Sequence, residues 1–113
     1  MCGVIYGSLR PASIILKEPN KTGTKLDDFT CARLKNNDEV QHSVNLGYTA
    51  PEVILGYPRT MHMDMFSYGC TIFELVYGKR LFADHSEQAY LASMAGILGA
   101  IPEAMVNNSP NKS

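Results

Sequence analysis

The stretch HMDMFSYGCTIFELVYG, residues 62–78, decides the fold. On a helix its apolar side chains fall on nearly every side, and a helix of that kind is buried inside a larger body. Asp64 is the expected N-cap, and Gly78 is a natural stop because glycine readily adopts the left-handed conformation that ends many helices. The sequence therefore predicts one central buried helix, around which the other elements pack.

A second helix is predicted downstream, from Ser86 to Leu98. Ser86 is a typical N-cap and Gly99 follows the expected end. The apolar residues Leu91, Met94 and Leu98 recur at helical spacing, which predicts one buried face.

Residues before this helical part are shorter apolar pieces separated by turn formers. IIL (14–16) and TKL (24–26) enclose the turn-rich KEPNKTG, which predicts a small hairpin. The run at 32–47 lacks sustained periodicity and is interpreted as a long loop. The predicted class is therefore α+β, with one domain over residues 1–106 and a disordered tail over 107–113.

Composition is that of an ordinary globular domain, with 113 residues, 45% hydrophobic and 19% charged. The net charge of -1 gives no electrostatic footprint for nucleic acid or an anionic membrane. No apolar run approaches the roughly 20 residues of a membrane span, and no secretory signal is recognised. Three cysteines without a C-x-x-C pattern are expected to be free thiols of an intracellular protein.

Three short motifs follow one another along the sequence. DFT (28–30) follows the strand-like TKL, APE (50–52) lies downstream, and DMFSYG (64–69) opens the central helix. Protein kinases carry a catalytic loop H-R-D-L-x-x-x-N, then D-F-G, then A-P-E. The chain resembles the C-terminal lobe of a eukaryotic protein kinase, from the catalytic loop through the helices called F and G. That resemblance implies phosphate transfer from ATP with magnesium ions.

A finer resemblance lies in LASMAGILGAIP, residues 91–102. It is similar to the LAMMER, or CLK, kinases of the CMGC group, since Leu91, Ala92 and Met94 keep three of the six motif letters. The related PRP-type and DYRK-type branches stay open. The resemblance implies a nuclear location, or otherwise a cytoplasmic one, and a Ser/Arg-rich substrate.

The stretch YGSLRPASIIL, residues 6–16, stands where that family has its catalytic loop. Ser8 occupies the place of the aspartate that acts as general base, and a positioned base is worth roughly 100- to 10,000-fold in rate. Ser13 occupies the place of the metal-binding asparagine, and Arg10 that of a lysine. We expect no intact catalytic residue.

Other positions of the resemblance differ too. Gly7 replaces an arginine that pairs with an activation-loop phosphate, and Thr30 replaces the DFG glycine. Asp28 is then a weak metal-ligand candidate and Ser13 a weaker one. No G-x-G-x-x-G or G-x-x-x-x-G-K pattern occurs, so no cofactor is predicted for these residues, although the family uses magnesium and ATP.

Three residues have expected structural or regulatory roles under the resemblance. Glu52 is expected to lack its arginine partner. Asp64 is expected to anchor the catalytic-loop backbone, with a plain helix cap as the alternative. Ser43, in the activation segment, is a candidate phosphorylation site.

Three function classes follow from this sequence. The first is a binding module without catalysis, holding a protein or peptide at the groove near the APE segment and helix G. The second is a Ser/Thr kinase that is active only when completed by other sequence. The third is a decayed gene product. Nucleic acid and membranes are not expected partners.

Overall fold

The computed structural model describes residues 3–34 and 45–110. Four short strands precede four helices, which agrees with the predicted α+β class. The elements are β1 (Val4–Ile5), a 3-10 turn (Pro11–Ser13), β2 (Ile14–Leu16), β3 (Thr24–Leu26), β4 (Arg33–Leu34), α1 (Pro51–Ile54), α2 (His62–Tyr77), α3 (Glu87–Leu98) and α4 (Glu103–Asn107).

The strands form two separate antiparallel pairs. In the predicted hairpin, β2 pairs with β3 and Ile14 lies opposite Leu26. The other pair joins β1 to β4, with Ile5 opposite Arg33. This second pairing brings the loop that follows β1 beside the segment that precedes β4.

Helix α2 begins three residues earlier than expected. Its N-cap is Met61, which makes no side-chain capping bond, so the prediction that Asp64 caps the helix is wrong. The predicted stop is confirmed: Gly78 is left-handed, with φ of 73°, and its N–H donates to the Glu74 carbonyl at 2.8 Å.

Burial of α2 is confined to one side, contrary to the expectation of burial all round. The buried residues are Met63, Ser67, Cys70 and Thr71. The other side is apolar but exposed, with Met65 at 69% and Val76 at 72% of their full accessibility. We call this surface the open face of α2; it comprises Met65, Tyr68, Ile72, Leu75 and Val76.

The main core lies between α2 and α3. Tyr90 is fully buried, its ring meets Phe82 edge-on at 5.4 Å, and its hydroxyl donates to the Thr49 carbonyl at 2.8 Å. Burial raises the pKa of the Cys70 thiol to about 11.

Helix α3 has the predicted cap. The Ser86 hydroxyl oxygen accepts from the Ala89 N–H at 3.2 Å. Its buried residues are Tyr90 and Met94, whereas Leu98 is 61% exposed. The assignment of Leu98 to the buried face is therefore wrong, because the core ends one turn before the helix does.

The C-terminal segment folds back on the α1–α2 connection. The Tyr57 hydroxyl donates to the Met105 carbonyl at 2.7 Å, and the buried Ser109 hydroxyl donates to the Leu55 carbonyl at 2.5 Å. The expected tail at 107–113 therefore starts inside α4 and is folded as far as Ser109. Residues 111–113 lie outside the described part.

Within the two described ranges, no helix combines the length and apolar character needed to cross a membrane.

Candidate functional site

A cavity of about 480 Å³ opens between the loop after β1 and the segment that joins β3 to β4. It brings together the predicted residues Ser8, Arg10, Ser13 and Asp28. Its remaining lining residues are Gly7, Ala12, Asp27, Cys31 and Asn45. Asp27, Cys31 and Asn45 were not predicted, and only the adjacency of Asp27 to Asp28 could have signalled any of them.

Asp64 anchors the loop from α2. Its Oδ2 accepts from the Tyr6 N–H at 2.7 Å, and its Oδ1 accepts from the Gly7 N–H at 2.9 Å. The carboxylate thus receives two backbone N–H groups that are 57 and 58 residues away in sequence. Because both oxygens point at the loop, neither caps α2.

Gly7 has a backbone shape that suits glycine. Its φ is +79°, and a Cβ at this position would lie 3.0 Å from the Cys31 carbonyl oxygen. Both the left-handed conformation and the close approach of Cys31 disfavour any side chain there.

We expect Gly7→Ala to lower the free energy of unfolding by about 1–2 kcal/mol. The left-handed backbone is unfavourable for alanine, and its Cβ would come too close to the Cys31 carbonyl oxygen. Gly96→Ala is the matched control, since a Cβ there meets nothing within 4 Å and the position is helical. The control should stabilise the chain by up to about 1 kcal/mol. Urea unfolding measures both, and equal effects would contradict the assigned strain.

Ser13 is engaged within its own loop. It is 5% exposed, and its hydroxyl donates to the Arg10 carbonyl at 2.7 Å while accepting from the Arg10 N–H at 3.0 Å. These two bonds reinforce the 3-10 turn, in which the Ser13 N–H donates to the Arg10 carbonyl at 3.0 Å. The hydroxyl at the place of the family's asparagine is therefore used for local structure.

Ser8 lies half-buried on the cavity wall. Among the described residues its hydroxyl forms no hydrogen bond, and so none with a histidine or a carboxylate. A hydroxyl without a neighbouring base is a weak nucleophile and a poor proton acceptor near neutral pH.

Asp28 is exposed and has a left-handed backbone, with φ of 60°. Its Oδ1 accepts from the Thr30 N–H at 3.2 Å and from the Thr30 hydroxyl. The hydroxyl bond, then the backbone bond, and the nearby positive charge of Arg10 together hold the pKa of Asp28 below its ordinary value. Asp28 is therefore a carboxylate with one oxygen already engaged.

Replacing Thr30 by valine should raise the pKa of Asp28 toward its ordinary value, because the hydroxyl donor that favours the charged form is lost. When the pKa of a carboxyl group is lower in the folded than in the unfolded chain, its charged form stabilises the fold at pH values above the unfolded pKa. That stabilisation is lost as the pH falls through the pKa of the folded chain. An NMR titration of the Asp28 carboxyl carbon measures the shift. Thr30→Ser, which keeps the hydroxyl, is the control; a similar rise in that variant would contradict the assignment.

The segment around the APE motif is tied to both long helices. The Ser67 hydroxyl of α2 donates to the Tyr48 carbonyl at 2.6 Å, and Tyr90 of α3 holds the Thr49 carbonyl. The Tyr48 hydroxyl also donates to Glu74, and the Arg80 guanidinium lies 5.6 Å from the centre of the Tyr48 ring. Desolvation and Glu74 raise the pKa of Tyr48.

Glu52 and Asp64 are not on the cavity wall. Glu52 is half-buried at the start of α1, and in residues 3–34 and 45–110 it forms no ion pair. Ser43 lies outside the described residues, so its predicted phosphorylation stays a prediction.

The donor set of the cavity fits a magnesium-bound nucleotide poorly. Magnesium favours carboxylates and phosphate oxygens in near-octahedral geometry. Here the Ser13 hydroxyl is hydrogen-bonded to the Arg10 backbone, and one oxygen of Asp28 accepts a hydrogen bond from Thr30. In the described part of the chain, no group of three or more His, Cys, Asp and Glu side chains is placed to hold a metal ion.

Comparison with known proteins gives relatives across nearly the whole chain. "Probable serine/threonine-protein kinase dyrk2" of Dictyostelium discoideum is 36% identical over 109 residues, which is 96% of this chain and 12% of the relative. "Dual specificity tyrosine-phosphorylation-regulated kinase 3" of Rattus norvegicus is 32% identical over 94% of this chain and 18% of the relative. "Serine/threonine-protein kinase ppk5" of Schizosaccharomyces pombe is 33% identical over 94% of this chain and 13% of the relative.

These relatives are DYRK-type kinases of the CMGC group, and the chain spans less than a fifth of their length. The family model "Protein kinase domain" matches residues 1–112. On this match, and on the order of the motifs along the sequence, the chain belongs to the protein kinase domain family.

Proposed function

We propose that this chain is a DYRK-type protein kinase module that does not transfer phosphate and acts by binding protein. The observation that carries the proposal is the double hydrogen bond between Ser13 and the Arg10 backbone. It makes the Ser13 hydroxyl a fixed part of the loop where an active family member needs a metal ligand.

Loss of the general base supports the same conclusion. A kinase needs a carboxylate that accepts the proton of the substrate hydroxyl. Ser8, at that place, is neutral near pH 7 and has no basic partner in the described residues. Because a positioned general base raises the rate of a reaction roughly 100- to 10,000-fold, its loss alone lowers the rate of phosphate transfer by that factor.

Metal binding is weakened at the same cavity. Asp28 is the remaining carboxylate at a family ligand position, and Thr30 occupies its Oδ1. Arg10 adds a positive charge that competes with a cation for this carboxylate. One half-engaged carboxylate is a poor substitute for the pair of ligands that holds the metal ions in kinases.

The branch assignment favours the DYRK type over LAMMER. The partial LAMMER motif, with Leu91, Ala92 and Met94, lies in α3, where the buried Met94 is part of the core. Core packing is enough to explain an apolar residue at that position. The curated relatives named above are DYRK-type, so the LAMMER assignment, with its nuclear location and Ser/Arg-rich substrate, stays a prediction.

The binding surface that we assign to this module is the exposed surface beside α1 and α3. The carbonyls of Tyr48 and Thr49, just before α1, accept hydrogen bonds from Ser67 of α2 and Tyr90 of α3. These bonds fix the segment without any ligand. A preorganised surface binds at a lower entropic cost than a mobile one. The occupant that we propose is a protein or peptide.

The test is phosphate transfer from radiolabelled ATP by the 113-residue chain to a Ser/Arg-rich peptide and to a general Ser/Thr/Tyr peptide mixture. We expect no transfer above that of Asp28→Ala, because the general base is absent. We also expect no thermal shift with millimolar Mg-ATP. Transfer or a saturable shift that Asp28→Ala abolishes would contradict the proposal.

A second candidate is a kinase completed by sequence outside this chain. The observation that favours it is the retained charged pair of the cavity, in which Asp28 stays ionised beside Arg10. The double variant Ser8→Asp/Ser13→Asn distinguishes the two. Both proteins are tested together with the completing sequence. Under our proposal only the double variant then binds Mg-ATP, whereas under the alternative the natural residues already bind it.

A further inference from the structure

The C-terminal segment, residues 102–110, is joined to the α1–α2 connection by two hydroxyl groups. The Tyr57 hydroxyl donates to the Met105 carbonyl at 2.7 Å, and the Ser109 hydroxyl donates to the Leu55 carbonyl at 2.5 Å. None of the five residues of α4, all of which the structure describes, is buried. A helix of this length is not stable alone in water, so α4 depends on its links to the rest of the fold. The segment can therefore open locally while the core between α2 and α3 stays folded.

One of these two hydroxyl groups also lies in a sequence that a kinase can recognise. Ser109–Pro110 is the one Ser-Pro or Thr-Pro dipeptide in the 113 residues, and proline-directed protein kinases phosphorylate serine or threonine in that dipeptide. Pro110 is exposed. Because a proline disfavours helical backbone in the residue before it, Ser109 follows α4 instead of belonging to it.

A phosphate on Ser109 is incompatible with the contact that the hydroxyl makes. Ser109 is 9% exposed, and its hydroxyl is the donor to the Leu55 carbonyl. Phosphoserine has no O–H on that oxygen, and it carries a charge of about -1.5 to -2 at pH 7. Its oxygens would face the Leu55 carbonyl oxygen as acceptor against acceptor, and burial of the new charge is unfavourable. The modified residue must therefore leave its place beside Leu55.

We propose that Ser109 is a phosphorylation site for a proline-directed protein kinase, and that its phosphate releases the C-terminal segment from the α1–α2 connection. The γ-phosphorus of ATP forms a bond to the Ser109 Oγ while its bond to the bridging oxygen breaks. ADP leaves with the electron pair of that bond, and the hydroxyl proton passes to a base of the modifying kinase. Local opening gives the kinase access, and the phosphate then keeps the segment open. Release further exposes the half-buried side chains of Leu55 and Tyr57.

Treatment of the 113-residue chain with a purified mitogen-activated protein kinase, which is proline-directed, and Mg-ATP tests the site. Mass spectrometry should place a phosphate on Ser109 of the natural chain, none on Ser109→Ala, and far less on Pro110→Ala, which keeps the hydroxyl. Tyr57→Phe removes the other link, so the segment opens more often and the labelling rate should rise roughly two- to tenfold. Tyr68→Phe is the matched control, because Tyr68 lies on the open face of α2, and it should leave the rate unchanged.

Amide hydrogen exchange before and after phosphorylation measures the release. The Val106 and Asn108 amides donate to carbonyls of the C-terminal segment and should exchange roughly tenfold faster in the phosphorylated chain. The Gly78 amide, which donates to a carbonyl of α2, should exchange at the same rate in both.

Three results would overturn the proposal. They are an absence of phosphate on Ser109, equal labelling of Pro110→Ala and the natural chain, and unchanged or slower exchange at Val106 and Asn108 after phosphorylation. A reaction without the added kinase serves as the blank. Phosphate transfer by the chain itself enters none of these readouts, so this test and that of the proposed function fail independently.

Discussion

Asp64→Ala is expected to lower the free energy of unfolding by roughly 3 kcal/mol, the largest effect of any polar substitution that we predict. The carboxylate accepts the N–H groups of Tyr6 and Gly7 at 2.7 and 2.9 Å. Hydrogen bonds to charged groups contribute about 1.5–3 kcal/mol each, and removing the acceptor leaves both donors unsatisfied. Urea unfolding of the two proteins measures the difference.

Two further variants separate the anchor from a general effect of losing a carboxylate. Asp64→Asn keeps the size but turns an amide N–H toward one of the two backbone donors, so its loss should approach that of alanine. Asp84→Ala removes a half-buried aspartate for which the described residues show no hydrogen bond, and it should change stability by under about 0.5 kcal/mol. An Asp64→Ala loss as small as that control would show that the loop is not held from α2.

Self-association through the open face of α2 is the second large effect that we expect. Leu75 and Val76 are 58% and 72% exposed, beside Met65 and Tyr68. Leaving a large apolar side chain in water forfeits roughly 1.5–3 kcal/mol, and several together rival the roughly 5–15 kcal/mol net stability of a domain. The purified chain should therefore bind a hydrophobic dye and sediment as more than a monomer.

The double variant Leu75→Lys/Val76→Glu places two opposite charges on that face. It should reduce dye fluorescence several-fold and restore the monomer, while the net charge stays unchanged. Leu16→Lys is the control, because Leu16 is 55% exposed on β2 and is not part of the open face. A natural chain that is monomeric, binds no dye and unfolds cooperatively above about 4 M urea would contradict this prediction.

Local signals in the sequence predicted much of the fold. The hairpin of β2 and β3, the Ser86 cap of α3 and the Gly78 stop of α2 each depend on residues within a few positions of one another, where turn and capping chemistry act. The ordered DFT, APE and DMFSYG motifs also predicted the protein kinase family. Ser8, Arg10, Ser13 and Asp28 were expected at one site, and the structure brings them to one cavity.

Tertiary structure alone decided how those residues are used. Asp64 was predicted both as a cap and as an anchor, and only the packing of the loop on α2 places both its oxygens on Tyr6 and Gly7. The contact of Tyr6 with Asp27 and Phe29 spans more than 20 residues and has no local signature.

Burial was the least predictable property. The apolar pattern of α2 indicates that its sides can be buried, but the neighbouring elements determine which sides are. The described residues leave the open face largely uncovered. The same reason places Leu98 in solvent although its spacing matches Met94. Sequence periodicity records the affinity of a side chain for an apolar environment, whereas the three-dimensional arrangement of the other elements decides whether that environment is supplied.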